Sequence, residues 1–285
     1  LDKTDNPPSR NLDVERIRHL LDTKILGTGN HLVYTPVVDS TNALAMQLAQ
    51  SGSEEGVVVL TDSQTAGKGR QGRRWVDVAG WNALSSTVLR PLFPPYQLVM
   101  IASLAVVDAI ADTCNVTATI KWPNDVLIRD RKVAGILIET SHDRTGRLVA
   151  ILGIGVNING NITRFDTTQT NLQTNPGLVT TATTLEAESG HVVSRETFIA
   201  HLLSHIENRY LALQQEAQET HPNGPISRFI REQWRARLST LGCAIHVHQG
   251  AKRLSGVAED VNDHGELLLR SHSGECITIT WGDIE

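Results

Sequence analysis

Residues 67–75 read GKGRQGRRW and contain G-x-G-x-x-G, yet no helix can begin directly behind the glycines. Arg73-Arg74-Trp75-Val76 leads into polar turn residues and then into an apolar strand pattern at 83–89. A dinucleotide-binding loop needs a helix at that point, because the N–H groups of its first turn hold the pyrophosphate. A doubly wound dinucleotide fold built on this loop is therefore excluded. A protein-kinase glycine loop does lie between strands, but it would place Val where Arg74 stands, and the H-R-D and D-F-G elements are absent. The Walker A pattern fails as well, since Lys68 is followed by Gly69 rather than Ser or Thr. What remains is a flexible loop carrying Lys68, Arg70, Arg73 and Arg74. Its glycines let backbone N–H groups approach an anion, while the side chains supply positive charge. Taken alone, the stretch reads equally well as a solvated basic turn.

Charge elsewhere does not help to decide. The 285 residues carry a formal net charge of −5, so a basic cluster has to act locally. Cys114, Cys243 and Cys276 are odd in number and lack C-x-x-C spacing, which fits a reducing, cytoplasmic setting and argues against a disulfide framework or a zinc ribbon. The longest apolar run, 98–110, is interrupted by Ser103 and Asp108 and reads as too short to span a bilayer, so no membrane association is expected.

Hydrophobic spacing predicts helices at 14–21, 41–50, 96–112, 194–218 and 226–238, the second capped by Ser40 and closed by Gly52. Strands are predicted at 31–38, 57–60, 83–89, 117–121, 126–128, 133–139 and 148–158, with residues 129–132 as a hairpin connection. A polar Asn/Thr-rich stretch at 159–175 is long enough to be a functional loop. After Gly242 the texture changes to short alternating segments at 245–248, 254–258, 267–270 and 277–280, with turns at 262–265 and 273–274. That pattern predicts a small β-barrel. The expected class is α+β, with a mobile tail over 1–12, a main domain over 13–239 and a small β-domain over 240–285.

Three polar clusters then give the basic loop company. Asp39-Ser40-Thr41-Asn42 falls at a strand-to-helix junction, where side-chain and backbone donors surround a small polar group. Lys121-Trp122-Pro123-Asn124-Asp125 gathers cation, aromatic, amide and carboxylate at a strand end. Residues 131–139, RKVAGILIE, place Lys132 at the mouth of a buried strand.

Together these stretches resemble the biotin–protein ligase (biotin–[acetyl-CoA-carboxylase] ligase) family, in its form without an N-terminal DNA-binding domain. The matching pieces are DSTN (39–42), QTAGKGRQGRRW (64–75), KWPNDV (121–126), RKVAGILIE (131–139) and GIGVNIN (153–159), in order from about residue 31 onward. TTATTLEAESG (180–190) resembles the segment that follows the family's mobile loop. The resemblance implies a mixed β-sheet catalytic domain flanked by helices, of the class II aminoacyl-tRNA synthetase and biotin–lipoyl ligase type, with an SH3-like barrel behind it. It implies ATP and biotin as substrates, Mg²⁺ as cofactor, biotinyl-5′-AMP as intermediate and a biotin carboxyl carrier protein as acceptor. A homodimer stays open.

By matched position, the resemblance puts Ser40, Thr41, Asn42 and Gln64 on the biotin head group, and Lys68, Gly69 and Arg70 along carboxylate and phosphate. Lys132 would contact the reacting oxygens, with Gly135 in the pocket floor. Gly67, Arg73, Trp75, Asn124 and Asn157 would serve the nucleotide, Trp75 by packing on adenine. Lys121 and Asp125 would join Arg70 and Lys132 as catalytic groups, Asp125 near metal or incoming amine. Lys68 stands where many members carry arginine, keeping the charge but losing bidentate geometry.

Two other readings share parts of this pattern. A lipoate–protein ligase has the same adenylate chemistry, although K-W-P-N-D and the glycine-basic loop favour biotin. A biotinyl-AMP-sensing repressor would need a DNA-binding module, and the 38 residues before Asp39 lack a basic recognition helix, so no specific DNA binding is expected. His201 and His205 share a helical face without the glutamate of H-E-x-x-H, so a metal role is not expected of them, while His246 and His248 on a C-terminal strand read as ordinary surface residues.

Overall fold

In the computed structural model, residues 11–160, 182–219 and 224–284 are described. Most of the expected tail and of the 159–175 stretch lies outside them. Seven strands form the main sheet: β1 (Leu32–Val38), β2 (Val58–Gln64), β3 (Asn82–Leu89), β4 (Thr119–Lys121), β5 (Asp125–Ile128), β6 (Arg131–His142) and β7 (Leu148–Asn157). Their spatial order is β1-β2-β3-β7-β6-β5-β4. Only β1 and β2 run parallel, joined by helix α2 (Thr41–Gln50); every other neighbouring pair is antiparallel. The sheet is thus mixed and hairpin-built, as the family resemblance implied.

Why β7 is apolar along most of its length follows from its central place, with both faces covered. On one face lies α2. On the other lies α3 (Gln97–Cys114), packed in turn against α5 (Arg195–Glu219), with α1 (Val14–Leu20), the short α4 (Leu185–Ser189) and α6 (Pro225–Ala236) completing the layer. Helix α3 is 18 residues, longer than the apolar run suggested, and by length and composition alone it could cross a bilayer. Here 72% of it is buried inside the protein, which is why it can be apolar almost all round.

Local chemistry fixes the element ends. The Asp13 side chain accepts from Arg16 N at 2.9 Å to start α1, and Ser40 Oγ accepts from Ala43 N at 3.5 Å to start α2. The β5–β6 connection is a two-residue turn, shorter than the expected four, because Arg129 (φ 48°) and Asp130 (φ 61°) both adopt the left-handed conformation that suits strand twist. Strand β6 consequently starts at Arg131, which brings Lys132 inside the sheet.

Leu12, assigned from sequence to the tail, belongs to the core instead. It is 4% exposed, and its N–H donates to Asp62 Oδ1 at 3.2 Å. Asp62 also pairs with the buried Arg195 at 2.7 Å and accepts from the Tyr34 hydroxyl. Removing one partner from such a buried pair typically costs about 3–5 kcal/mol, since the other charge is left stranded.

Residues after Gly242 form an antiparallel sheet of β8 (Ala244–Gln249), β9 (Lys252–Val261), β10 (Leu267–Ser271), β11 (Cys276–Ile279) and β12 (Asp283–Ile284). The order is β11-β10-β9-β8-β12. Its buried side chains, Val247, Ala258, Leu267, Leu269 and Ile279, are continuous with the main core. Arg235 on α6 grips Asp260 on β9 through two nitrogens at 2.5 and 2.9 Å, and Trp122 Nε1 donates to Gly265 O at 2.9 Å. The small sheet is therefore held against the main one, and its last strand reaches the basic loop.

Candidate active site

One cleft opens on the α2 face of the main sheet. Because side chains alternate along a strand, its floor is set by register: Gly135 of β6 lies opposite Gly155 of β7, and Gly153 lies opposite Ser86 of β3. The glycines are required by contact. A Cβ on Gly155 would fall 2.6 Å from the Trp75 ring, one on Gly135 would fall 3.0 Å from it, and one on Gly153 would overlap the Asn42 amide. The Trp75 indole thus lies against bare backbone, with Lys132 Nζ 5.9 Å from its ring. Its Nε1 is buried and without a hydrogen-bond partner.

A polar clamp forms one end. Thr41 donates to Gln64 Oε1 through its N–H at 2.8 Å and its hydroxyl at 3.1 Å. Ser86 Oγ donates to Asn42 Oδ1 at 2.6 Å and lies 2.7 Å from Thr41 Oγ1. Asn42 Nδ2 donates to Glu139 Oε2 at 2.8 Å, and the other Glu139 oxygen takes Lys68 Nζ at 3.1 Å. Ser40, Thr41 and Asn42 are all buried, so these groups are held in fixed directions. Behind them Asp77 accepts from Gln64 N at 3.2 Å, and burial pushes its carboxyl above the usual range.

The basic loop folds as a tight hairpin over the other end. Lys68 and Arg74 pair as a β-bridge, Trp75 N donates to Gly67 O at 3.0 Å, and Gln71 (φ 54°) and Gly72 (φ 75°) make the left-handed turn. Arg70 reaches inward, donating to Asn124 Oδ1 at 2.8 Å and to Gly282 O at 3.2 Å, while Arg73 pairs with Asp283 at 2.5 Å. Burial lowers the Arg70 guanidinium from its ordinary value, and Asp283 and Asp125 oppose that shift. Lys132 pairs with Asp125 at 2.6 Å and is anchored from behind, its carbonyl accepting from Thr183 N at 2.9 Å. Five cations (Lys68, Arg70, Arg73, Arg74, Lys132) and two carboxylates (Asp125, Asp283) line the cleft, which makes it a receptor for anions.

Of the residues singled out from sequence, Ser40, Thr41, Asn42, Gln64, Lys68, Gly69, Arg70, Arg73, Trp75, Asn124, Asp125, Lys132 and Gly135 line this one cleft. Three do not. Lys121 ends β4 opposite Asp125 and lies outside the lining. Asn157 is buried structure: it donates to Thr183 O at 3.1 Å and accepts from Asn82 Nδ2 at 3.0 Å, tying β7 to its neighbours. Gly67 faces the neighbouring hollow beside Trp281, and a Cβ there would meet Trp75 O at 2.6 Å.

Residues 34–159 match the model of the Biotin/lipoate A/B protein ligase family. The chain is 38% identical over 241 residues to a biotin–[acetyl-CoA-carboxylase] ligase from Paracoccus denitrificans, spanning 83% of this chain and 92% of that protein. The chain belongs to the biotin–protein ligase family. Another ligase of that name, from Mycobacterium tuberculosis, is 30% identical and spans 95% of this chain and 98% of that one. A solved biotin protein ligase from Aquifex aeolicus, in complex with biotin and ATP, superposes with a TM-score of 0.69 at 25% identity, covering 89% of this chain and 97% of that chain.

Sequence reading of this biotin–protein ligase missed Ser86, the bridging role of Glu139, and Asp283. Ser86 had a readable signal, for Ser85-Ser86 interrupts a strand that is buried throughout, and buried hydroxyls need partners. Asp283 had none, because β12 has only two residues and shows no alternation. Replacing Asp283 with Asn should free Arg73 and loosen the loop hairpin. Cleavage within 67–75 in limited proteolysis is expected to accelerate several-fold, while thermal stability changes little because Arg73 is largely exposed.

Proposed function

We propose that the chain joins biotin to ATP, forming biotinyl-5′-AMP and pyrophosphate, and then transfers the biotinyl group to a lysine of a biotin carboxyl carrier domain. The observation that carries this reading is the convergence, in one cleft, of a rigid polar clamp with Arg70 and Lys132. In the first step a biotin carboxylate oxygen bonds to the α-phosphorus, and the bond to the bridging oxygen of pyrophosphate breaks. Two anions must approach and charge builds on the phosphoryl oxygens, so preorganised cations supply most of the stabilisation. Ser40, Thr41, Asn42 and Gln64 would hold the head group. Lys68, Gly69 and Arg70 would follow the carboxylate and phosphate, and Lys132 would contact the reacting oxygens. Trp75 and Asn124 would serve the nucleotide, the buried Trp75 N–H finding an acceptor on the ligand.

Mg²⁺ fits the carboxylate available, since it commonly binds through one or two carboxylates plus substrate phosphates. Asp125, in the cleft beside Lys132, would hold it. When bound, Mg²⁺ would offset phosphate charge. In the second step the carrier's amine attacks the acyl carbon, the bond to AMP breaks, and the amine loses a proton. Asp125 is also placed to orient that amine. The mixed anhydride must be kept from water, which suits a hairpin loop folded over it.

ATP–pyrophosphate exchange tests the reading against lipoate activation. Exchange should depend on biotin and stay at background with lipoate; dependence on lipoate with silence toward biotin would overturn it.

A further inference from the structure

Away from the cleft, the last turn of α3 meets the first half of α5. His201 and His205 stand one helical turn apart on α5, and Asp112 faces them from α3. Asp112 Oδ2 is 2.7 Å from His205 Nε2 and 3.4 Å from His201 Nδ1, and the three potential ligand atoms all lie within 4.8 Å of one another. We propose that these three side chains form a binding site for a divalent transition metal ion of the zinc type, bridging α3 and α5.

The geometry is close to what coordination requires. Ligands about 2.0–2.1 Å from a tetrahedral ion stand roughly 3.3 Å from one another. Of the three pairs, Asp112–His201 is already at that spacing at 3.4 Å, Asp112–His205 needs to open by only about half an ångström, and the two imidazole nitrogens lie within 4.8 Å of each other. Two imidazoles with one carboxylate suit zinc, copper or nickel, whereas calcium and magnesium prefer oxygen donors alone. Local charge permits a cation. Arg209 and Arg237, the nearby guanidinium groups, are both engaged by Asp108, one turn before Asp112. Among the described residues, the two imidazoles are Asp112's only ion-pair partners. Access is open: His201 and Asp112 are each 43% exposed, so an ion can enter and water can complete its shell. None of the three lines the catalytic cleft, so the site is separate from adenylate chemistry.

An ion held there ties two helices together and binds the folded chain in preference to the unfolded one, so it raises thermal stability. Isothermal titration with Zn²⁺ alone, without ATP or Mg²⁺, on tag-free and chelator-treated protein tests this. Cys243 and Cys276 are exposed thiols that compete for zinc, so both are replaced by Ser throughout. The expected result is one Zn²⁺ per chain and a raised Tm. His201→Asn, His205→Asn and Asp112→Asn should each weaken binding at least about tenfold, as loss of a ligand should exceed loss of an outer-shell partner. Unliganded melting curves establish that the variants are folded. No saturable binding, or an affinity unmoved by all three substitutions, overturns the site; an unchanged affinity in Asp112→Asn alone overturns the bridge between helices.

Discussion

Lys132→Ala is expected to slow biotinyl-adenylate formation by about 10²- to 10³-fold, the usual scale for removing one preorganised charge-stabilising donor. Biotin binding should remain measurable by titration, because the clamp of Thr41, Asn42 and Gln64 does not depend on this lysine. The effect is large because Lys132 is fixed from several sides. Its amine is held by Asp125 at 2.6 Å, its carbonyl by Thr183 N at 2.9 Å, and its place on β6 by the two-residue turn at Arg129-Asp130. A donor held this way does not have to reorganise as charge develops. Single-turnover adenylation, followed as pyrophosphate release, reads the chemical step apart from binding; an unchanged rate would mean that another group stabilises the phosphoryl oxygens.

Gly153→Val is expected to weaken biotin binding by at least about 100-fold, equivalent to roughly 2.7 kcal/mol. A Cβ at 153 would occupy the space of the Asn42 amide, which cannot step aside without breaking its bonds to Ser86 and Glu139. Valine suits an extended strand, and the φ of Gly153 is not in the left-handed region, so the backbone itself accepts the change. The damage should therefore appear as lost affinity with an intact melting transition. Titration of biotin beside a thermal melt separates the two, and wild-type affinity would remove Asn42 from the proposed head-group clamp.

Much of this architecture was legible because its parts obey local rules. The apolar 148–158 run became the central β7, Ser40 capped α2, and the turn residues at 262–265 and 273–274 separated strands of the C-terminal sheet. Elimination left the basic loop open between an anion cradle and a solvated turn, and only the family resemblance assigned it to the site. Contacts made across long sequence separations were harder to see. Glu139 looked like the end of a strand, yet it joins Asn42 to Lys68 across a fold that brings three segments together. Asp283 sits in the last few residues and acts on a loop about 210 positions away. Lys121 and Asn157 are the opposite case, singled out from sequence yet absent from the cleft lining. Each belongs to a recognisable motif, but Lys121 ends the edge strand β4, outside the cleft lining, and Asn157 is a buried tie. A motif supplies the residue types, and only strand pairing decides which of them face the ligand.

The glycine-rich stretch also took on a definite form. Its glycines fit a hairpin against Trp75 rather than a helix start, and Lys68 spends its charge on Glu139 as a single point contact at 3.1 Å. Arg70 reaches from the loop to both Asn124 and Gly282, the residue before β12, so the loop's place over the cleft depends on the small sheet as well as the large one.

The central claim is tested most directly by incubating the chain with biotin, Mg²⁺ and a biotin carboxyl carrier domain, with and without ATP, and weighing the carrier by mass spectrometry. The predicted result is one biotinyl group on a single carrier lysine, formed only when ATP is present and abolished on the same timescale by Lys132→Ala. A carrier that stays unmodified with ATP, or gains biotin equally well without it, would contradict the account.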